Sequence, residues 1–423
     1  MEMNGIDIRE HDGLGYRRLV NNAKWTLASL NYAPRFDAQN VVELERHNRT
    51  DETFVLLSGA ATLLVGETAT RVPLAPLKYY NVRAGQWHHI IVSKDARVLV
   101  AENADTSKDN TDYLELATGR VFQKRPTFEE VLPDTYLLKV PFGPVWTGIV
   151  LVRGDANVLI DSSHLAPERY LLPALADLGL KPSDIAWLLN THVHGDHIGG
   201  HSALVTRYGL KTATLASAAD ALRDPVKVAI RVRTRFPQNS PPPQSYLKGV
   251  EPDRLLQEGE LLAGRFRARA TPGHDDDCLV WIDTRTNTAF TGDSLQANGT
   301  PTQGIGFYRS LPAYRATLAT LAAERLSNIV CGHDYDGIGD VIRGEAAVAD
   351  ALAYSSARVA LYASRIRAYV AAGVPVEAEP VTLARKLIGD VGCGMPDALF
   401  LALHTVSEHL KEITGGQGDA ATA

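Results

Sequence analysis

A chain of 423 residues is longer than one hydrophobic core usually serves, so two or three domains are expected. Hydrophobic residues make up 45% and charged residues 22%, the profile of a folded globular protein, which leaves disorder to the tail. A formal net charge of −6 provides no global positive field for phosphates, and this argues against nucleic acid as a partner.

The opening stretch MEMNGIDIREHDGLGYRR has acidic residues and no apolar core of signal-peptide length, and no later run approaches a membrane span. A cytoplasmic protein with no membrane partner is expected. Cys278, Cys331 and Cys393 are odd in number and scattered, so they form no disulfide framework and fit a reducing compartment, with Cys278 and Cys331 expected to pack as small apolar residues. Between about 35 and 105, the short apolar runs ETFVLLSG, ATLLVGE, YYNVRAG, HHIIVSKD and ARVLVAEN alternate with turn signals, which predicts an antiparallel barrel or sandwich. Residues 110–134 are polar, contain Pro126 and Pro133, and read as a connection.

From Thr135 the pattern becomes mixed. TYLLKV precedes a hairpin turning at Arg153-Gly154-Asp155, then come a helix in PERYLLPALADLGL and a buried strand in IAWLLN. The strand RFRARA, the hairpin of CLVWID with TAFTGD, the helix AYRATLATLAAERL and the strand SNIVCGH complete an α/β layered domain of roughly 200 residues. The proline-rich 235–249 reads as a long surface loop. After 341 the periodicity is helical. The expected division is therefore a β domain over 1–125, an α/β domain over 126–340, a helical region over 341–415 and a flexible tail over 416–423.

The stretch NTHVHGDHIGG, 190–200, concentrates the chemistry. His192, His194 and Asp196 stand at alternate positions, which in an extended segment face one side, while His197 points elsewhere. Gly195, Gly199 and Gly200 permit the tight backbone path. Histidines with carboxylates and no cysteine pair suit zinc or another first-row divalent metal. His274 in ATPGHDDD, Asp293 in FTGDSL and His333 in IVCGHDYDG end later apolar runs in glycine-containing turns, where α/β folds place site residues.

HVHGDH resembles the HxHxDH signature of the metallo-β-lactamase superfamily, and TPGH, TGD and GH resemble its later ligand motifs in order, over about 132–340. The resemblance implies an αββα sandwich in which His192, His194 and His274 hold one metal, Asp196, His197 and His333 hold a second, and Asp293 bridges them. It implies two divalent ions, zinc first with iron or manganese as alternatives, and a bridging hydroxide that cleaves an ester, lactone or thioester of a small organic substrate. From its position, Asp196 is expected to handle the proton after attack. A histidine at 194, where flavodiiron relatives resemble a glutamate pattern, favours hydrolysis.

Gln296 stands where homoserine-lactone hydrolases of the superfamily have a tyrosine. TPGHDDDCLVWID and FYRSLPAYRATLATL are more similar to the glyoxalase and β-lactamase-like hydrolases, whose appended helical domain the C-terminus resembles. Asp275, Asp276 and Asp277 read as a solvated turn, and Lys227, Arg231, Arg233 and Arg235 as a solvated helix face. Substrate-selecting loops are expected near 225–250 and 297–310.

In the N-terminal region, ERHNRTDETFVLLSG and VRAGQWHHIIV resemble the two cupin motifs, which implies a cupin-like β-barrel with His47, Glu52 and His88 at metal-ligand positions. Glu45 stands where the first cupin histidine is expected. The fold expected overall is α+β and multidomain, with assembly into a homo-oligomer through the cupin-like domain. Competing readings are a mononuclear iron persulfide dioxygenase, which shares the same ligand pattern, and a non-enzymatic sensor whose cupin binds a ligand. A nuclease is disfavoured by the acidic balance.

Overall fold

The computed structural model describes residues 2–3, 6–7, 9–21, 24–104, 106 and 110–415. The expected flexible tail, 416–423, lies outside them. The chain divides into two compact units, Met1–Arg125 and Pro126–Ala423.

The first unit is rich in β-sheet. One antiparallel sheet of six strands runs in the order Val121–Phe122, Thr111–Glu115, Glu43–His47, His88–Val92, Ala61–Val65, Thr70–Pro73. A second of five strands runs Tyr16–Asn21, Trp25–Asn31, Arg97–Asn103, Glu52–Ser58, Tyr79–Val82. The two-residue alternation sends Leu63, Ile90 and Val92 of one sheet and Ala28, Phe54, Leu56 and Val100 of the other into one core. Both sheets are open, not joined into the expected barrel. The end strands Thr70–Pro73 and Tyr79–Val82 are four residues each, and Pro73 and Pro76 lack the amide donors that a closing ladder would need.

The second unit is a four-layer sandwich. Its first sheet orders Phe128–Leu132, Thr135–Phe142, Val145–Val152, Asn157–Ile160, Ile185–Leu189, Thr212–Leu215 and Arg254–Leu256, with the last four joined in parallel. Its second orders Leu261–Leu262, Phe266–Ala270, Leu279–Asp283, Thr288–Gly292, Asn328–Tyr335 and Gly339–Arg343. Leu137, Val150, Val158 and Leu189 of the first sheet meet Phe266, Ala268, Trp281 and Phe290 of the second in the central core. The strands are near-continuous apolar runs because both faces are covered.

On the outer face of the first sheet, Leu138, Ile149, Leu159 and Leu188 pack under the helices Leu171–Asp177 and His201–Tyr208. On the outer face of the second, Val280, Ile282, Ala289 and Ile329 share a core with Leu318 and Leu321 of the helix Leu311–Ala323, which Ser310 caps by accepting from the Ala313 amide. The helices Glu345–Ala371, Val381–Val391 and Phe400–Ile413 add Val348, Tyr362, Leu387 and Leu403 to that same core. The C-terminal helices thus form the outer layer of the sandwich, and the strand Gly339–Arg343 crosses the boundary expected at 340.

The stretch 235–249 is irregular, as expected, but Phe236 and Leu247 are buried, so it covers the core as well as the surface. Among the described residues no helix is long and apolar enough to cross a membrane.

Candidate metal centre

Four segments bring His192, His194, Asp196, His197, His274, Asp293 and His333 together beside the C-terminal ends of Ile185–Leu189 and Thr288–Gly292. The expected extended run ends at His194. Asp196 and His197 lie on a one-turn helix, Gly195–Ile198, because the backbone turns helical after His194. The turn swings His197 beneath the loop, 3.3 Å from Asp293 Oδ1, while Asp196 stays at the pocket wall. His333 lies inside the strand Asn328–Tyr335 instead of after it, at a point where pairing with Gly339–Arg343 is interrupted between Val330 and Tyr335.

Two glycines make this packing possible. Gly292 has φ +47°, and a Cβ there would collide with Thr191 Oγ1. A Cβ on Gly332 would stand 2.8 Å from His197 Cε1 and 2.9 Å from Asp293 Oδ1. The glycines of TGD and GH are therefore steric requirements of the site.

Three overlapping sets of donor atoms are close enough to share an ion: His192, His194 and His274; His192, His197 and Asp293; Asp196, His197 and His333. Asp293 touches both halves, with Oδ2 3.4 Å from His274 Nε2 and Oδ1 3.5 Å from His333 Nε2. Asp196 Oδ2 lies 3.3 Å from His333 Nε2.

Each outward ring nitrogen is tied down. Nδ1–H of His274 donates to the Phe307 carbonyl at 3.0 Å, that of His333 to the Trp146 carbonyl at 2.6 Å, and that of His197 to Asp161 Oδ2 at 2.8 Å. His194 is reversed: its Nε2 meets Asp275 Oδ2 at 3.1 Å and its Nδ1 faces His274 Nε2 at 3.0 Å. These bonds fix the tautomer and leave the inward nitrogen with a lone pair.

His192 Nε2, His197 Nε2 and Asp293 Oδ1 are buried with no hydrogen-bond partner, all three at the centre of the cluster. Buried polar atoms are rarely left this way, so the donor set fits divalent cations.

The charges agree. Burial alone would raise Asp293 and Asp196, but His333 and His197 hold both carboxyls well below the usual range. Burial alone would lower His197, and Asp196, Asp293 and Asp161 instead raise it well above the ordinary histidine value. Burial pushes His192 well down and His274 down to about 4. Three carboxylates, beside a His192 and His274 that lean neutral and a His197 and His333 that hold protons in answer to those carboxylates, make a cavity suited to positive charge.

Sequence reasoning did not find Asp161. Its Oδ1 accepts the Thr191 amide and its Oδ2 accepts both Thr191 Oγ1 and His197 Nδ1, each at 2.8 Å. The rule that marks Asp293, an acidic residue ending an apolar run, also marks Asp161 in NVLIDSS. Asp161→Asn is expected to weaken metal binding about 10- to 100-fold in a chelator competition; unaltered affinity would leave Asp161 a purely structural part.

The reading of 275–277 as a solvated turn holds only for Asp276. Asp275 is buried between His194, Arg231 and Arg309, and Asp277 Oδ2 accepts the Val193 amide at 2.8 Å. The local triplet pattern hides this because two carboxylates turn inward to hold the opposite loop. Cys278 and Cys331 are buried thiols, as expected.

The centre opens into a pocket of about 530 Å³. A larger hollow of about 640 Å³ between the helices Leu311–Ala323 and Glu345–Ala371 is lined by Leu318, Ala322, Val348 and Leu352 and holds none of the ligand clusters, so size alone does not mark the site.

Residues 140–333 match the metallo-beta-lactamase superfamily. The second unit belongs to the metallo-beta-lactamase superfamily. A probable metallo-hydrolase of Burkholderia pseudomallei is 32% identical over 43% of this chain and 62% of its own length. The hydroxyacylglutathione hydrolase of a Chelativorans species is 30% identical over 44% of this chain and 62% of its own, and the human mitochondrial persulfide dioxygenase 29% over 38% and 54%. The chain thus spans less than two thirds of these curated relatives. The crystal structure of a metallo-beta-lactamase family protein from Thermus thermophilus superposes with a TM-score of 0.51 at 22% identity. It covers 67% of this chain and 94% of that one, a likeness of fold.

The first unit has its own cluster. His47 Nε2 and His88 Nε2 both approach Glu52 Oε2, at 3.2 and 2.9 Å, beneath a cavity of about 210 Å³. Glu45 falls into one possible ligand set with the two histidines, and Glu102 into another with His47 and Glu52. Glu102 escapes the sequence reading, whereas Glu45 is the residue that stands there at the first cupin histidine's position. Burial would raise Glu52, but His47 and His88 hold it down to about 2. Here the rings and the carboxylate already satisfy one another, unlike the central cluster.

Proposed function

We propose that the second unit is a dinuclear metallohydrolase that cleaves an ester, lactone or thioester of a small organic substrate. The observation that carries this is the set of buried atoms without a hydrogen-bond partner, His192 Nε2, His197 Nε2 and Asp293 Oδ1, in the cluster whose His194, Asp196, His274, Asp293 and His333 line an open pocket. His192, His194 and His274 are assigned to one ion, Asp196, His197 and His333 to the other, with Asp293 between them. Two divalent ions held there supply Lewis acidity and lower the pKa of water to about 7.

The chain's own residues do the rest. Asp161, Asp275 and the Phe307 and Trp146 carbonyls orient the histidines, so little reorganisation is needed when charge develops. Asp196 lines the pocket with its carboxyl kept ionised by His197 and His333, and is placed to take the proton released on attack and pass it to the leaving alkoxide or thiolate. Phe142, Pro144 and Phe307 narrow the pocket around the acyl group and exclude water.

Gln296 has a different part from the tyrosine of lactone hydrolases. Its Nε2 donates to the Asp293 carbonyl at 2.8 Å and its Oε1 accepts the Phe307 amide at 3.0 Å, so it braces the turn and does not line the pocket. Esters and thioesters are therefore placed ahead of homoserine lactones.

The deciding measurement is metal content by inductively coupled plasma mass spectrometry with a parallel ester and thioester panel. About two zincs per chain, falling toward one in His194→Ala, together with turnover lost in the same variant, are expected. One iron per chain with oxygen uptake on a persulfide would replace this reading with the dioxygenase. For the first unit we propose a cupin-like sandwich with a metal position at His47, Glu52 and His88; metal retained in His194→Ala but lost in His88→Ala is the expected sign of it.

A further inference from the structure

Of the four cations on the segment 227–235, the structure distinguishes one. Arg231 pairs with Asp275 and Asp276 at 2.5 and 2.8 Å, and Arg235 pairs with Glu408 at 3.2 Å. Lys227 is exposed and does not line the pocket. Arg233, on the same helix Pro225–Thr234, is half-buried in the pocket wall that holds His194, Asp196, His274, Asp293 and His333. Its Nε is buried without a hydrogen-bond partner, and no carboxylate among the described residues forms an ion pair with it. Its guanidinium lies over the face of Phe400, with the central carbon 5.6 Å from the ring centroid.

An unpaired guanidinium shielded from water is costly, and its planar fork matches a carboxylate in two parallel hydrogen bonds. Around it the walls are apolar, with Phe142, Phe307, Met395, Phe400 and Leu401. Asp397, the pocket's acidic group outside the ligand set, is exposed to solvent. Burial lowers the pKa of Arg233 while the field of Asp196 raises it, which places the guanidinium within electrostatic range of the centre.

We propose that Arg233 is the anion-recognising residue of this pocket, and that the substrate carries a carboxylate on an apolar body, apart from the bond that is cleaved. The inference rests on the hydrolase reading for the cleaved bond but not for the anion. Solvated helix face is therefore the wrong description for Arg233, and the right one for Lys227.

Two measurements on the metal-loaded protein test it. Mono-4-nitrophenyl glutarate and 4-nitrophenyl butyrate differ chiefly in the distal carboxylate. The wild type is expected to favour the glutarate ester by about 10- to 100-fold in kcat/KM, through KM, and Arg233→Gln to erase that preference.

Calorimetry supplies the second readout. 4-Phenylbutyrate is expected to bind at least about 10-fold more tightly than 4-phenylbutanamide, with the difference lost in Arg233→Gln and partly kept in Arg233→Lys. A carboxylate preference that survives Arg233→Gln assigns the anion to the metal centre and overturns the proposal, as does equal affinity for acid and amide in the wild type. If neither ester is hydrolysed but the Arg233-dependent preference appears in calorimetry, the anion site stands and the hydrolase reading falls.

Discussion

Replacing Asp293 with alanine is expected to cost about 10³-fold or more in kcat/KM, or ~4 kcal/mol of transition-state stabilisation, and to remove metal from both positions together. The reason is its double reach. Oδ2 stands 3.4 Å from His274, and Oδ1 stands 3.3 Å from His197 and 3.5 Å from His333, so one carboxylate supports both halves of the cluster. His194→Ala should differ in kind, because His194 belongs to the His192 and His274 set alone and its loss leaves Asp196, His197 and His333 in place.

Asp293→Asn keeps one oxygen and half the geometry but not the charge, and an intermediate loss is expected. Near-ultraviolet circular dichroism would check that the fold persists. An Asp293→Ala protein that keeps two ions per chain and wild-type turnover removes Asp293 from the centre.

The central ligands were legible because their signal is local. Histidine, aspartate and glycine crowded at the ends of apolar runs have few other uses, and four such runs in one α/β pattern reinforce one another. What the sequence hid was orientation. The two-residue alternation assigned to 192–196 fails after His194, where hydrogen bonding of the His197 amide to the His194 carbonyl starts a helical turn.

Nor can linear charge patterning separate Arg233 from Arg231 and Arg235. That distinction comes from Asp275, Asp276 and Glu408, which lie 40 or more residues away and neutralise two of the three. The C-terminal helices were readable as helices, while their place as the outer layer over Val280, Ile282 and Ile329 depends on long-range packing. In the first unit the strands follow from alternation, but closure depends on edge pairing, which no periodicity reports.

Acid should destabilise the second unit through two histidines outside the metal centre. His404 Nε2–H donates to the Val232 carbonyl at 2.8 Å, and Arg235 faces its Nδ1 at 3.4 Å, so a proton on Nδ1 would confront a guanidinium. His409 Nε2 bonds the Tyr308 hydroxyl at 2.6 Å, and its Nδ1 is buried without a partner. Burial pushes His404 down to about 3 and His409 down to about 4.

Both are neutral in the fold and protonate on unfolding at pH values below about 6.5, so the unfolded chain binds more protons and stability falls as pH falls. The loss begins near pH 6.5 and continues to about pH 4 for His409 and about pH 3 for His404. At pH 5 each is expected to cost about 2 kcal/mol.

Gln at either position keeps a donor near Nε2 and cannot titrate. Urea unfolding of His404→Gln and His409→Gln should therefore show a slope of stability against pH lower than that of wild type by up to about 1.4 kcal/mol per pH unit for each substitution. Metal release at low pH acts on all three proteins alike, so the difference between slopes isolates the buried histidines. Parallel slopes for wild type and both variants between pH 6.5 and 5 would mean that these rings already carry the same proton in the folded and unfolded states.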